Sequence, residues 1–433
     1  MSVQSSNRTL PLLTICVVFF VLGFATWVNA MLIPFFKVAC QLTNFESYFV
    51  TFAFYISYLV IALPASFLLK RTGFKIGIMI GLAAMSVGAL VFIPAAITRS
   101  YPIFLLGLFI IGTGLAILQT AANPYVTILG APDRAAQRIS MMGICNKTAG
   151  IMAPLILAAL IIKSNDSELF KSIPHLDEAH KAVVLDGIIK RVIYPYAVVS
   201  VVLAALSALI YFSPLPEIGD TTETDHSEND QANRTIFHYP HLILGAVAIF
   251  FHVGSQIIAI DTIITYAQSL GYSISTAKAF PSFTLMSTII GYLMGIIFIP
   301  WGISQKQALR ICTSLGLVLS IMVNLTHGKF HLFGISLDTP LLFLISLGFA
   351  NSMIWAGIWP LALNGLGKHL KVGASVLILG LCGNALLPLL YGYIADQFGL
   401  KSGYLILLPC YCYLIFYAFY GHKVKTWRLQ YTR

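Results

Sequence analysis

Residues 143–154, GICNKTAGIMAP, set Asn146 and Lys147 side by side within a long apolar run. An ammonium at bilayer depth costs at least ~2.5–3.5 kcal/mol, so an intramembrane lysine marks a functional position by default. Asp261, in HVGSQIIAIDTIITYA (252–267), is the one carboxylate well inside an apolar run; Glu46, Asp338 and Asp396 stand at run ends. Around these two ionisable groups the apolar segments place neutral amides at Asn29, Gln119, Asn123, Asn146, Gln256, Asn351, Asn364 and Asn384. An amide offers a donor and an acceptor without a buried charge, which matches a ring of sugar hydroxyls. A sugar lacking one matched hydroxyl would leave a site amide unpaired, and this gives discrimination. Trp27, Phe54, Tyr55, Tyr58, Trp355 and Trp359 are aromatics suited to a sugar face. His252 stands one helical turn before Gln256, and Gln119 one turn before Asn123, so each pair shares a face. The candidate substrate contacts are therefore Asn29, Gln119, Asn123, Asn146, Lys147, His252, Gln256, Asn351, Trp355 and Asn384. Lys147 and Asp261 are the candidates for coupling or gating.

Each residue also has a plainer reading. A lone intramembrane amide serves equally well to tie two helices together. Asn123 precedes Pro124 and can satisfy broken backbone. Trp27 and Trp301 read as interfacial anchors. Gly107, Gly112 and Gly114 read as helix packing, because no strand precedes them as a phosphate loop would require.

The elements that must position these groups follow from the placement of charge. The chain is 58% apolar and only 10% charged, against ~25% charged in an average soluble domain. Charge-free intervals at 9–36, 47–69, 76–98, 100–132, 192–216, 235–260, 279–305, 311–328, 339–367, 372–395 and 402–422 are each long enough to cross the bilayer. Residues 139–162 add a further interval, interrupted only by Lys147. The expected fold is an all-α polytopic membrane protein with twelve transmembrane helices in two six-helix lobes. The first span lacks a cleavage site and reads as a retained helix. The seven cysteines are scattered and give neither a disulfide framework nor metal spacing.

The net charge of +10 is distributed by side. With twelve spans, one set of loops carries Lys70, Arg71, Lys75, Arg134, Arg138, Lys306, Arg310, Lys368 and Lys371, and the tail adds Lys423, Lys425, Arg428 and Arg433. The opposite loops carry only Lys37, Arg99, Lys278, Lys329 and Lys401 outside the longer polar connection at 163–191. The bias places both termini in the cytoplasm and explains the basicity without nucleic acid. The acidic, Pro-bounded stretch 214–238 reads as a cytoplasmic linker between an N-terminal lobe, 1–213, and a C-terminal lobe, 239–433.

The lobes look related. Pro124, the basic loop with Arg134 and Arg138, Ser140, and Gly143-Ile-Cys-Asn in the first are echoed in the second by Pro360, Lys368 and Lys371, Ser375, and Gly380-Leu-Cys-Gly-Asn384. A proline, Pro154 or Pro388, follows each run. Repeats of this kind are a mark of secondary transporters. Over essentially its whole length the chain resembles the major facilitator superfamily, and within it the fucose/glucose–galactose permease branch. The residues that carry the resemblance are GLAILQTAANPYVTILG (114–130), PLALNGLGK (360–368), VGASVLILGLCGNALLPLLYGYIAD (372–396) and the 252–267 stretch. The superfamily's loop motif between spans 2 and 3 survives as LLKRTGFKIG (68–77), without its usual acidic residue. The resemblance implies import of a hexose of the glucose/galactose type across the cytoplasmic (inner) membrane by alternating access, coupled to a cation. N-acetylglucosamine, L-fucose, or uniport without an ion are the alternatives.

The chain departs from that pattern at the residues that carry the proton. The proton-coupled fucose permeases hold acidic residues where this chain has Ala30 and Gln119. Their proton mechanism does not transfer, and Na⁺ or H⁺ stays open as the co-transported ion. Asn-Lys at 146–147 looks more like branch members that take up glucose or N-acetylglucosamine. Lys147 then has several readings: a donor to substrate oxygens, a resident cation where relatives import one, a group that exchanges a proton in the cycle, or a lysine snorkelling to the cytoplasmic surface. At 1.5 Å per residue Lys147 lies ~12 Å into its span, whereas Asp261 lies ~30 Å along its own. The depths argue against a direct pair and put Asp261 near the outer mouth. A membrane-embedded transferase finds no nucleophile, metal spacing or carboxylate pair, and a drug exporter is disfavoured by the amide-rich interior. The expected partners are a small sugar and the lipid bilayer, with no resident cofactor, for a monomer.

Overall fold

The computed structural model describes residues 9–128, 135–163, 166–173, 176–213, 238–299, 302–332, 335–366 and 370–427. The linker expected at 214–238, except its last residue, and Trp301 lie outside them. Apolar runs form helices because a backbone in hydrocarbon must satisfy its own polar groups. Ten helices among the described residues are long and apolar enough to cross a membrane. The shorter apolar Phe49–Ile61 and the helix Phe280–Phe298 complete twelve passes.

The chain divides into two compact units. One comprises Met1–Gly219 with Gly271–Phe283, and the other Asp220–Leu270 with Thr284–Arg433. In the first unit, span 1 is broken into Thr9–Trp27 and Asn29–Ala39. Pro34 lies inside the second piece, where it has no N–H to give the carbonyl of Ala30. Spans 2 and 3 are one hydrogen-bonded stretch, Phe49–Ile97, turned at Gly73 with φ 79°. Only glycine adopts that conformation without steric cost. Spans 4, 5 and 6 are Tyr101–Ile128, Ala135–Ile161 and Ile193–Phe212.

Small residues let these helices touch backbone to backbone. A Cβ on Gly81 would lie 2.8 Å from Gly114 O, and one on Gly112 only 2.1 Å from Phe54 O. The glycines of span 4 are packing residues, as expected. The core is aromatic, with Phe92 stacked on Tyr196 at 3.8 Å between ring centroids.

The polar connection at 163–191 is not simply a loop. It folds into Asp166–Ser172 and Glu178–Ile189. The buried Asp166 carboxylate accepts from Lys163 N–H at 2.8 Å and pairs with Arg191, which also donates to Ile161 O at the end of span 5.

The second unit repeats the plan with variations. Span 7 is Pro240–Asp261 followed by Ile263–Ser269. Span 8, Phe280–Phe298, counts in this unit from Thr284, and spans 9 and 10 are Gln305–Leu325 and Thr339–Leu363. Spans 11 and 12 each pass through a tight 3-10 turn, at Gly380–Cys382 and Tyr404–Ile406. A hairpin joins spans 9 and 10, Lys329–Leu332 pairing with Ile335–Asp338 in the register Lys329↔Asp338.

Candidate functional site

Each unit brings its candidate residues together in its own way. In the first, everything depends on how closely spans 1 and 5 approach. A Cβ on Gly23 would fall 2.1 Å from Asn146 O, so the two backbones touch there. One turn further along, the Trp27 indole occupies the space a Cβ on Gly150 would need, 2.3 Å from Trp27 Cδ1. Lys147 Nζ sits over that ring, 4.2 Å from its centroid. Two glycines thus make the seat for a tryptophan, and the tryptophan makes the seat for a lysine. Trp27 is only 4% exposed, so it is not the interfacial anchor its type implied. The correction has a physical cause: without the glycines an indole could not enter this helix pair.

Lys147 lies ~18 Å from Ala135 along a 27-residue helix, at its middle. The Lys147 ammonium is held over the Trp27 ring, whose indole lies against Gly150. Within its lobe, among the described residues, no carboxylate pairs with it.

A chain of contacts continues across the lobe. Thr26, beside Trp27, accepts at its carbonyl from Tyr55 OH at 3.4 Å. The Tyr55 and Tyr58 rings are 6.0 Å apart. The Gln119 side chain faces the Tyr58 hydroxyl. Lys147, Trp27, Tyr55, Tyr58 and Gln119 therefore form one polar–aromatic strip over spans 5, 1, 2 and 4. Asn29, just past the break in span 1, is fully buried, and among the described residues neither end of its amide has a hydrogen-bond partner. Asn146 is half-buried beside Lys147. The side chain of Asn123 lies outside the described residues. A groove of about 420 Å³ between spans 3 and 6, lined by Ser86, Ser207 and Tyr211 among others, holds none of the candidates.

In the second unit the corresponding close approach is between spans 7 and 11. A Cβ on Gly254 would meet Leu387 Cδ1 at 2.2 Å and Gly383 O at 2.8 Å, and one on Gly383 would lie 2.0 Å from Phe250 O. The GICN and GLCGN echoes thus occupy equivalent places, each on the helix packed against its lobe's first span. Asn384 is 7% exposed with its Oδ1 unsatisfied among the described residues. His252 is buried and lies 6.5 Å, ring to ring, from Trp355, which packs on Trp359 at 5.4 Å. Gln256 is half-buried one turn beyond His252. Asn351 is tied to the scaffold through its Oδ1, which accepts from Tyr411 OH at 3.0 Å, while its buried Nδ2 has no partner among the described residues.

Asp261 ends the first half of span 7 and is fully buried. Its neighbour Thr262 bonds Ile258 O at 2.7 Å and the Tyr404 hydroxyl at 2.7 Å. Tyr411, Thr265 and the Trp27 seat escaped sequence reasoning. The one signal for Trp27 was its spacing of four from Gly23, matched by Asn146 and Gly150 four apart in span 5.

Interiors built from amides, a single deep charge and aromatic faces, on broken helices in a twofold repeat, define a membrane transporter of the two-lobed class. Residues 15–380 match the Major Facilitator Superfamily, and the chain belongs to that family. It is 30% identical over 423 residues to the glucose/galactose transporter of Brucella abortus, covering 97% of this chain and 96% of that one. It is 26% identical to the L-fucose-proton symporter of Escherichia coli, covering 98% and 95%. Among solved structures, the FucP transporter in its outward conformation is similar in fold, with TM-score 0.68 at 24% identity over 95% of this chain and 98% of that one.

Proposed function

We propose that this transporter imports a hexose of the glucose/galactose type across the cytoplasmic membrane by alternating access, coupled to a cation. The observation that carries the reading is the end-to-end match to a glucose/galactose transporter. The first lobe's strip supports it chemically. A π face holds an ammonium without directed lone pairs, so Lys147 keeps N–H donors for sugar oxygens. The unsatisfied amides of Asn29 and of Asn384, each in its own lobe, are suited to hydroxyls, because a buried amide without a partner is costly. Asn351 is held by Tyr411 through its Oδ1 and keeps its Nδ2 as a donor for a sugar oxygen in this reading. The work is binding and release with no covalent step, by a monomer with both termini in the cytoplasm. A proton carried at positions 30 and 119 is not part of it, since alanine and glutamine stand there.

A second reading, L-fucose, is favoured by the matches to L-fucose-proton symporters at 26% identity. Uptake of labelled glucose, galactose, N-acetylglucosamine, fucose and mannose into proteoliposomes tests both. Glucose and galactose are expected to enter and compete with each other. Entry of fucose alone would overturn the hexose assignment.

A further inference from the structure

We propose that the break in span 7 is a Na⁺ site built from the Asp261 carboxylate, the Thr265 hydroxyl and the last-turn carbonyls of Ala259 and Ile260. This inference rests on the reading of the chain as a cation-coupled sugar importer. The helix Pro240–Asp261 ends with Thr262 N–H on Ile258 O at 3.2 Å, and the ladder resumes only with Tyr266 N–H on Thr262 O at 3.0 Å. The carbonyls between fall in the last turn, where intrahelical donors run out. They form the negative end of a helix dipole, which favours a cation. The Asp261 carboxyl, 0% exposed, stands at that same negative end and would be matched by a cation there.

Thr265 is the independent observation. It is 6% exposed, four residues beyond Asp261 across the break, and among the described residues its Oγ1 has no hydrogen-bond partner. A buried hydroxyl without a partner is costly, and a bound cation would use its lone pair. The Thr262 hydroxyl, by contrast, is already committed to Ile258 O and Tyr404. Tyr266 and Tyr391 pack on Tyr404 at 5.3 and 4.9 Å between centroids, and all three are buried. They wall the break against bulk water. All the groups offered are oxygens, with one formal charge. Broken helices in secondary transporters use unwound carbonyls and half-helix C-terminal ends in this way to coordinate Na⁺.

The test melts the purified full chain in NaCl and in KCl at equal ionic strength. Na⁺ is expected to raise the melting temperature saturably, and K⁺ not to. Asp261→Asn and Thr265→Val are each expected to weaken Na⁺ half-saturation by more than about tenfold. Thr313→Val should leave it unchanged, because that buried hydroxyl bonds only its own helix, at Leu309 O and Arg310 O. No Na⁺-specific rise in the wild type, or an equal rise in wild type and both variants, overturns the site. The wild-type comparison needs no variant, so failure of Asp261→Asn to fold does not shield the proposal. Adding D-glucose in KCl separates this site from the hexose reading. Stabilisation by glucose but not by Na⁺ sinks the site and leaves the hexose reading standing. Stabilisation by Na⁺ but not by any sugar of the panel supports the site and sinks the hexose reading.

Discussion

The first span of each lobe follows the same plan and ends in opposite chemistry. Span 1 breaks at Val28 and span 7 at Thr262, and each packs a glycine, Gly23 or Gly254, against the fifth helix of its own lobe. In the first lobe the residue at the break is the neutral Asn29 and the deep charge is the cation Lys147, held on Trp27. In the second the residue at the break is Asp261, and Trp355, packed on Trp359, faces the imidazole of His252 with no lysine over either ring among the described residues. A duplicated scaffold fixes where a helix can break without fixing what charge stands there. On the reading proposed above, the difference is a division of labour, with sugar contacts around Lys147 and ion contacts around Asp261.

The comparison breaks most readily at Lys147. Lys147→Ala should lower sugar uptake between about 10- and 150-fold, the equivalent of ~1.5–3 kcal/mol for a charged hydrogen-bond donor. Wild-type rate and affinity in that variant would remove lysine from the sugar site. Next come the glycines. Gly23→Ala drives a Cβ into the Asn146 carbonyl and should cost ~1–3 kcal/mol in detergent melting. Gly254→Ala meets first the flexible end of Leu387 and should cost less. An equal or reversed order would show that the two close approaches are not built alike.

Smaller effects sharpen the picture. Trp27→Leu removes the ring under the ammonium and should weaken sugar affinity by ~0.5–2 kcal/mol, with Trp27→Phe retaining part of it. Fluorescence titration with the sugar reads this directly. Tyr411→Phe deletes the bond that holds Asn351 and should cost ~1 kcal/mol of stability while weakening sugar affinity slightly. Unchanged affinity instead would leave Asn351 as scaffold alone.

Much of this was legible in the sequence. Charge-free intervals located the spans, because hydrocarbon tolerates so few ions, and the same accounting singled out Lys147 and Asp261. The seat of Lys147 was not legible. Gly23 and Gly150 acquire their meaning only when spans far apart in the chain are pressed together, and no local rule reports that. The tie of Asn351 to Tyr411, and the approach of Gln119 to Tyr58, were hidden for the same reason: an amide carries no label saying whether its partner will be a helix or a ligand. The hairpin at Lys329–Asp338 was missed because its strands are only four residues each, too short to show a period.

The division of labour is tested most directly by comparing glucose counterflow with Na⁺-driven accumulation in the same proteoliposomes. Counterflow needs only sugar binding and the swing of the transporter, whereas accumulation needs the ion as well. Asp261→Asn is expected to keep counterflow and lose accumulation, and Lys147→Ala to lose both. Loss of counterflow in Asp261→Asn to the same degree as in Lys147→Ala, or full accumulation in either variant, would contradict the account.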